Sequence, residues 1–406
     1  MPIVVFEDNQ CDHLRPVGLF RPLCELRVGS LTLLDMVKKL DPKAACLRRE
    51  HFFLNGDTPD LPPSLAGPTL FLNASLEPDI RARKIYGDLL AAGDPFLTTS
   101  GNRVAAALIP AGAKLGDDLS SGNISARLLE LSLPLEDEMF RTIDWPHQVV
   151  DSHLRIFPTN LEHIISTGNY REIQKNVFIG ENVDLAPTAA FETAKGPVVI
   201  DDGVKVMHFT YLEGPIHIGA GTKVIEHSSI KEITSIGEGC KIGGEIEASL
   251  MEPHSNKQHH GFLGHSWVGR WVNLGAGTST SDLKNTYGKV RVYYRGARVE
   301  TGMQFLGSII GDFSKSAVNT SLFTGKIVGV CSMLYGTVTT NVPCFTNYAR
   351  SFGQVTEISL EQAVTTQRRV FARRDTAQTR YDLELLRRVF DLTRDERVMS
   401  EEPINF

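Results

Sequence analysis

Residues 200–242 read IDDGVKVMHFTYLEGPIHIGAGTKVIEHSSIKEITSIGEGCKI, with an aliphatic at every sixth position: Ile200, Val206, Leu212, Ile218, Val224, Ile230, Ile236 and Ile242. A helix repeats near 3.6 residues and a half-buried strand every second residue, so a strict period of six fits neither. It is the period of a hexapeptide parallel β-helix, in which each hexad is a short strand plus a corner and three hexads close a coil of about 18 residues. The aliphatics point into the prism. Glycine follows the aliphatic at Gly219, Gly237 and Gly243. Positions two before the next aliphatic are small or β-branched (Val204, Thr210, Thr222, Ser228, Thr234, Cys240), which suits a tight corner with its side chain tucked inward.

The period extends upstream through Ile179, Leu185 and Phe191, with a slip of register around Gly196-Pro197. Downstream it resumes at Phe262, Val268 and Leu274, and again at Ile310, Leu322, Val328 and Leu334. Two stretches interrupt it, Glu252 to Gly261 and roughly Ser281 to Gly302. Loops expelled from a solenoid commonly decorate its binding face, so both are candidate sites of chemistry.

At 406 residues the chain exceeds one compact core, and two or three domains are expected. Residues 1–158 read as an α/β domain, 159–171 as a linker, 172–355 as the left-handed β-helix and 356–406 as a helical tail. A net charge of −6 argues against a nucleic-acid or anionic-membrane partner. No apolar run approaches the length of a membrane span, and Met1-Pro2-Ile3-Val4-Val5-Phe6 lacks the features of a signal peptide. Six cysteines without a Cys-x-x-Cys pair suggest reduced thiols, hence a cytoplasmic location.

In the first region Ile3-Val4-Val5-Phe6, Thr69-Leu70-Phe71-Leu72 and Val104 to Ile109 read as strands, and Thr32 as the cap of a helix carrying Leu33, Met36, Val37 and Leu40. Strands alternating with helical stretches predict a mostly parallel, doubly wound, Rossmann-like sheet. In the tail, Ser359-Leu360-Glu361-Gln362 is a capping box. The helices beyond it, with Arg368, Arg369, Arg373, Arg374, Arg387 and Arg388 between apolar residues, are expected to cap the open end of the solenoid.

The candidate chemistry lies in Asn256-Lys257-Gln258-His259-His260-Gly261-Phe262-Leu263-Gly264-His265 and in Val272-Asn273-Leu274-Gly275-Ala276-Gly277-Thr278. A loop histidine beside glycine-rich backbone suits acyl transfer to an amine, because imidazole can take the ammonium proton. Backbone N–H groups around Gly275-Ala276-Gly277 would hold a thioester oxyanion. Glycine admits an extended pantetheine arm, and Lys284 offers a point charge for a phosphate or carboxylate.

On residues 256–285 and the Glu300-Thr301-Gly302-Met303-Gln304-Phe305-Leu306-Gly307 run, the chain resembles the bifunctional enzymes that join an N-acetylglucosamine-1-phosphate uridylyltransferase to a glucosamine-1-phosphate N-acetyltransferase, and more closely their divergent nucleotidyltransferase-like branch. The resemblance implies a transferase with acetyl-CoA as co-substrate, sugar phosphates and NTP as small-molecule partners, and a homotrimer. It places the catalytic base on His259, with His260 second, the amino-sugar contact on Asn273 and CoA contacts on Ala276, Thr301 and Asn319. Lys257, Asp282 and Lys284 complete the implied acyl and sugar site. The family's lysine for the sugar phosphate is Glu247 here, its tyrosine after the base is Phe262, and an asparagine is Asp282. In the first domain, Arg21 and Arg27 of the Arg15 to Gly29 loop would hold NTP phosphates, and Asn73 replaces the strand-end Asp that binds Mg²⁺, leaving Asp151 as a candidate carboxylate. Two other readings are a sugar-nucleotide-binding protein that has lost one or both activities, and a metal lyase resembling the γ-carbonic anhydrases, with His217, His254 and His259 meeting zinc.

Overall fold

The computed structural model describes residues 1–53, 67–116, 118–294 and 296–398. The chain divides into two compact units, Met1–Pro146 and the remainder from His147.

The amino-terminal unit is built on a six-stranded sheet. Ile3–Phe6 pairs in parallel with Ala45–Leu47 on one side and Thr69–Asn73 on the other. Arg103–Ile109 runs antiparallel to both its neighbours, Thr69–Asn73 and Phe96–Ser100, and the other strands share one direction, so the sheet is mostly parallel, as expected, with one reversed strand. The cause is a tight hairpin at Gly101-Asn102, which joins two neighbouring strands without a crossover. Thr32 caps the helix Leu33–Lys38, its hydroxyl accepting from the Asp35 N–H at 3.0 Å.

The second unit is a left-handed parallel β-helix. Its first face is a sheet in which Val177–Ile179, Val198–Ile200, Ile216–Ile218, Thr234–Ile236, Leu250–Met251, Trp267–Val268, Ser308–Ile310 and Lys326–Val328 stack in parallel. The hexad aliphatics form one buried column per face, from Val177 to Tyr348. Each fully buried side chain of this kind contributes about 1.5–3 kcal/mol. Val204, Thr210, Thr222, Ser228, Thr234 and Cys240 are buried at the corners, and Thr222 ties coils together by donating to the Gly237 carbonyl and accepting from the Cys240 N–H. One corner turns through left-handed backbone in successive coils, with glycine at 203, 221 and 239 and then His254, Trp271, Phe313 and Cys331. Gly219 and Gly237 serve differently: a Cβ on either would lie within 3 Å of the next coil's backbone.

The stretch Glu252 to Gly261 is not expelled. Asn256–Lys257 pairs in register with Lys241–Ile242, which puts Lys257 at the inward position where every earlier coil has an aliphatic. The second stretch does leave the coil: Arg291–Tyr294 and Ala297–Glu300 form an antiparallel hairpin before Ser308–Ile310 rejoins the stack.

The unit boundary falls after Pro146 rather than at 158, and most of the expected linker is helical. The helix Pro146–Thr167 lays Phe157 and Leu161 on Val199 of the coil, and a His153 ring nitrogen lies 2.9 Å from the Ile233 carbonyl oxygen. That apolar stripe makes it part of the second unit. At the other end, Leu360–Ala372 starts with the predicted capping box at Ser359 and Gln362. It does not merely cap the last coil, because Phe371 packs on Trp271 at 4.7 Å and on Phe313 at 6.0 Å, well back along the prism. The helix Arg380–Leu392 packs nearer the end, through Phe390 on Phe345 at 5.0 Å. Among the described residues, no helix is long and apolar enough to cross a membrane.

Candidate active site

The reach of the Leu360–Ala372 helix along the coil creates a cleft of about 520 Å³. One wall is a column of outward-facing residues on a single face, in the register Lys241, Asn256, Asn273, Lys315. The opposite wall is Val370, Arg373 and Arg374, and His254 with Trp271, stacked at 4.5 Å, belongs to the lining. His259, Gly275 and Ala276 lie along the same cleft, with Val318.

Backbone pairing selects one amide of the glycine-rich run. The Gly275 N–H donates to Ser316 Oγ at 3.0 Å and the Gly277 N–H to the His260 carbonyl at 3.1 Å. The Ala276 carbonyl accepts from the Asn319 N–H at 2.7 Å, while among the described residues the Ala276 N–H meets no acceptor. It is the donor of the three that remains open to a ligand. Polar order continues across the column: Arg374 Nη2 donates to Asn256 Oδ1 at 2.8 Å, and Asn256 Nδ2 donates to Asn273 Oδ1 at 3.3 Å. This orientation leaves the Asn273 NH₂ without an acceptor among the described residues.

Among the described residues the lining carries four basic side chains and no carboxylate. Lys315 is held below the usual lysine range by burial, its Nζ donating to the Phe313 carbonyl at 2.7 Å. Burial, then the charges of Arg374, Arg373 and Lys223, push Lys241 down. Burial and the nearby Arg374 and Arg270 likewise lower His254, against the pull of Glu238. Lys241, Lys315, Trp271, Arg373 and Arg374 escaped the reading of the sequence as site residues. Their only signals were a lysine just before the hexad position and a basic tail.

Other residues read as candidates lie elsewhere. Lys257 is buried inside the coil, its Nζ donating to the carbonyls of Gly243 at 3.1 Å and His259 at 2.6 Å. Burial pushes its amine down to about 8. Asp282 pairs with His265 Nδ1 at 2.8 Å on another face, beneath the Phe305 ring. Lys284 donates to the Lys289 carbonyl, and the Thr301 hydroxyl to Val290 at the base of the hairpin. Thr301 thus lies with the hairpin, whereas Asn319 neighbours Ala276 and Gly277. Glu247 faces Lys231 at 3.6 Å. His217 bonds Asp201 at 3.0 Å, and among the described residues no group of three or more His, Cys, Asp or Glu is gathered for a metal.

In the amino-terminal unit the candidate residues are built into the fold. Arg21 and Asn73 are buried. Asn73 Nδ2 donates to Asp8 Oδ2 at 2.8 Å and to the Val104 carbonyl at 2.9 Å, and its Oδ1 accepts from the Ser75 N–H and hydroxyl. Arg27 donates to the Ser30 carbonyl at 2.9 Å. Asp151 lies on the Pro146–Thr167 helix of the other unit, half exposed and 3.8 Å from Arg155.

Comparison with known proteins matches residues 3–167 to the family described as sugar nucleotidyl transferase. The match takes in the amino-terminal unit and the helix that follows it, about two fifths of the chain. The chain is 29% identical over 177 residues to a bifunctional sugar-1-phosphate nucleotidylyltransferase/acetyltransferase of Sulfurisphaera tokodaii, a stretch covering 43% of this chain and 40% of that protein. It is 32% identical over 85 residues to the bifunctional protein GlmU of Methanocaldococcus jannaschii, 21% of each chain. The matched stretches thus span less than half the length of either curated relative. An Arabidopsis UDP-N-acetylglucosamine acyltransferase overlays 57% of this chain and 83% of its own at 12% identity, with a TM-score of 0.29.

In the amino-terminal unit the Mg²⁺ expected at the strand end does not suit the residues present. Asn73 aims its NH₂, not its oxygen, at Asp8. Both Asp8 oxygens bond to Arg103, at 2.6 and 2.8 Å. A dication there would displace an ion pair and face a guanidinium at contact distance.

Proposed function

We propose that the chain is a transferase of nucleotide-sugar biosynthesis whose coil moves an acyl group from a CoA thioester to a sugar amine. The observation that carries this reading is the cleft that gathers His259, Asn273 and the open Ala276 N–H. His259 takes a proton from the substrate ammonium, and the freed amine attacks the thioester carbonyl. The new oxyanion is held by the Ala276 N–H. The C–S bond then breaks, the thiolate leaves with the proton returned by the imidazolium, and the regenerated imidazole passes the second proton of the adduct nitrogen to solvent, which leaves the neutral amide. Loss of CoA release from acetyl-CoA and amino-sugar phosphates on His259→Ala tests the assignment, and undiminished turnover refutes it.

A second reading of the base rests on the His265–Asp282 pair. A carboxylate on Nδ1 fixes the tautomer and leaves Nε2 as the basic nitrogen, the arrangement a general base needs. His265→Ala with His259 intact separates the two.

For the amino-terminal unit the family match favours nucleotidyl transfer to a sugar 1-phosphate, with Arg21, Arg27 and Asn73 as scaffold. Pyrophosphate release from NTP and sugar 1-phosphate tests it. The resemblance also supports a cytoplasmic homotrimer, which sedimentation and cell fractionation would check.

A further inference from the structure

We infer that the column Lys241–Asn256–Asn273–Lys315, roofed by Arg373 and Arg374, is an anion-reading wall that takes a phosphate group of one substrate. The inference rests on the acyl-transfer reading for the substrate's identity, but its geometry stands alone. Four cations line the cleft, and among the described residues the lining holds no carboxylate. The polar contacts made by two of them are to neutral oxygens: Arg374 to the Asn256 amide and Lys315 to the Phe313 carbonyl. Their charge is therefore left for a ligand. The lysines bracket the two asparagines in register, three strand steps apart, about 14 Å from the spacing of neighbouring strands.

The same wall answers the charge reversal at Glu247. That carboxylate is engaged on a different face with Lys231, so it neither repels nor recruits a ligand in the cleft. Phosphate recognition here is assigned to residues of the coil face and the carboxy-terminal helix of one chain. Arg374 has a second role as a positioning residue. Its bond to Asn256 orients that amide, which in turn accepts no competing role at Asn273 Oδ1 except its own N–H donation, and so turns the Asn273 NH₂ toward the ligand.

Two substrates carry this chemistry, a phosphorylated amino sugar and CoA itself. Titration calorimetry of the full chain with inorganic pyrophosphate needs no turnover and tests the wall directly. Arg373→Gln/Arg374→Gln is expected to weaken binding at least tenfold, and Lys241→Gln several-fold. Lys223→Gln, whose lysine stacks beside Lys241 outside the cleft lining, should leave binding unchanged. Circular dichroism checks that each variant is folded. Pyrophosphate binding that survives the double substitution, or that falls equally in Lys223→Gln, overturns the inference. In kinetics, a rise in KM for glucosamine 1-phosphate but not for glucosamine assigns the phosphate to the acceptor. A rise for acetyl-CoA but not for acetyl-pantetheine assigns it to the donor. Arg374→Lys should restore the charge-dependent binding but not the kcat set by Asn273. If pyrophosphate binds as described while the wild-type chain releases no CoA from acetyl-CoA with any amino-sugar phosphate, the wall stands and the acyl-transfer reading falls.

Discussion

In the amino-terminal unit, Arg49 lies 3.1 Å from Glu7 and Arg103 lies 2.6 Å from Asp8, with all four side chains buried. In the cleft of the coil, Lys241, Lys315, Arg373 and Arg374 meet no carboxylate in the lining among the described residues. The first set compensates its own charge and holds loops to a sheet: Glu7 also accepts from the Leu23 and Arg49 N–H groups, tying both segments to the first strand. The second is left uncompensated at a concave surface. Arginines near a phosphate-binding motif and arginines in a tail look alike in a sequence. Whether a carboxylate is within reach distinguishes scaffold from site.

The largest expected effect breaks the comparison at its functional end. His259→Ala should lower acyl-transfer kcat by about 10²–10⁴, the usual contribution of a positioned base, with the melting temperature unchanged. Steady-state CoA release and thermal melts check both halves. A full loss in His265→Ala, with His259→Ala active, would move the base to the His265–Asp282 pair.

At the scaffold end, Arg103→Ala should destabilise the amino-terminal unit by about 3–5 kcal/mol, because Asp8 would be left buried and unpaired. Urea unfolding followed by a probe in each unit should show the loss in the first unit alone. The same pair sets an acid sensitivity. Burial raises the Asp8 carboxyl, but hydrogen bonding and the charge of Arg103 outweigh it and hold Asp8 below the usual carboxylate range. Its stabilisation is present above the unfolded value of 3.8 and is lost as pH falls through the folded value. Unfolding midpoints should rise from about pH 3 to 5 in the wild type, and this gain should be lost or reversed in Arg103→Ala, where burial alone acts on Asp8.

The coil was legible because its signal is one-dimensional: eight aliphatics at one spacing can only line one prism, and the same is true of the capping box at Ser359. The sheet of the first unit was less so. Five strands run one way, as a parallel fold would have them, and only the Gly101-Asn102 hairpin betrays the reversed strand Arg103–Ile109. His259, Asn273 and Ala276 were visible as a local glycine-rich constellation. Lys315 and Arg374 were not, since they come within reach of Asn273 through coil stacking and a helix docked more than a hundred residues later. Lys257 misled for a related reason. Its polarity suggested an expelled loop, but strand register puts it on the inward column.

That buried lysine offers a smaller test. Its amine is held at about 8 in the fold against an ordinary 10.5, so between those values the unfolded chain binds more protons. The penalty of burying the ammonium is full below about pH 8 and is relieved toward about pH 10.5, so stability of the coil should rise with pH across that window. Lys257→Met keeps the length of the side chain and removes the charge. It should flatten this slope, measured as the urea midpoint of the coil at several pH values. A slope that persists in the methionine variant would mean that another group titrates there.

The smallest effect is expected at Lys284, which the loop chemistry favoured as a phosphate contact. Its ammonium reaches only the Lys289 carbonyl at 3.2 Å and lies outside the cleft lining. An exposed hydrogen bond of this kind is worth little, so Lys284→Ala should shift stability by no more than about 0.5 kcal/mol. KM for the phosphorylated sugar should stay within about twofold, since 0.4 kcal/mol is the free-energy equivalent of that factor. Arg373→Gln on the cleft wall should change the same KM by much more. A KM that rises more in Lys284→Ala than in Arg373→Gln would return the phosphate to the expelled loop and dissolve the contrast between paired and unpaired cations.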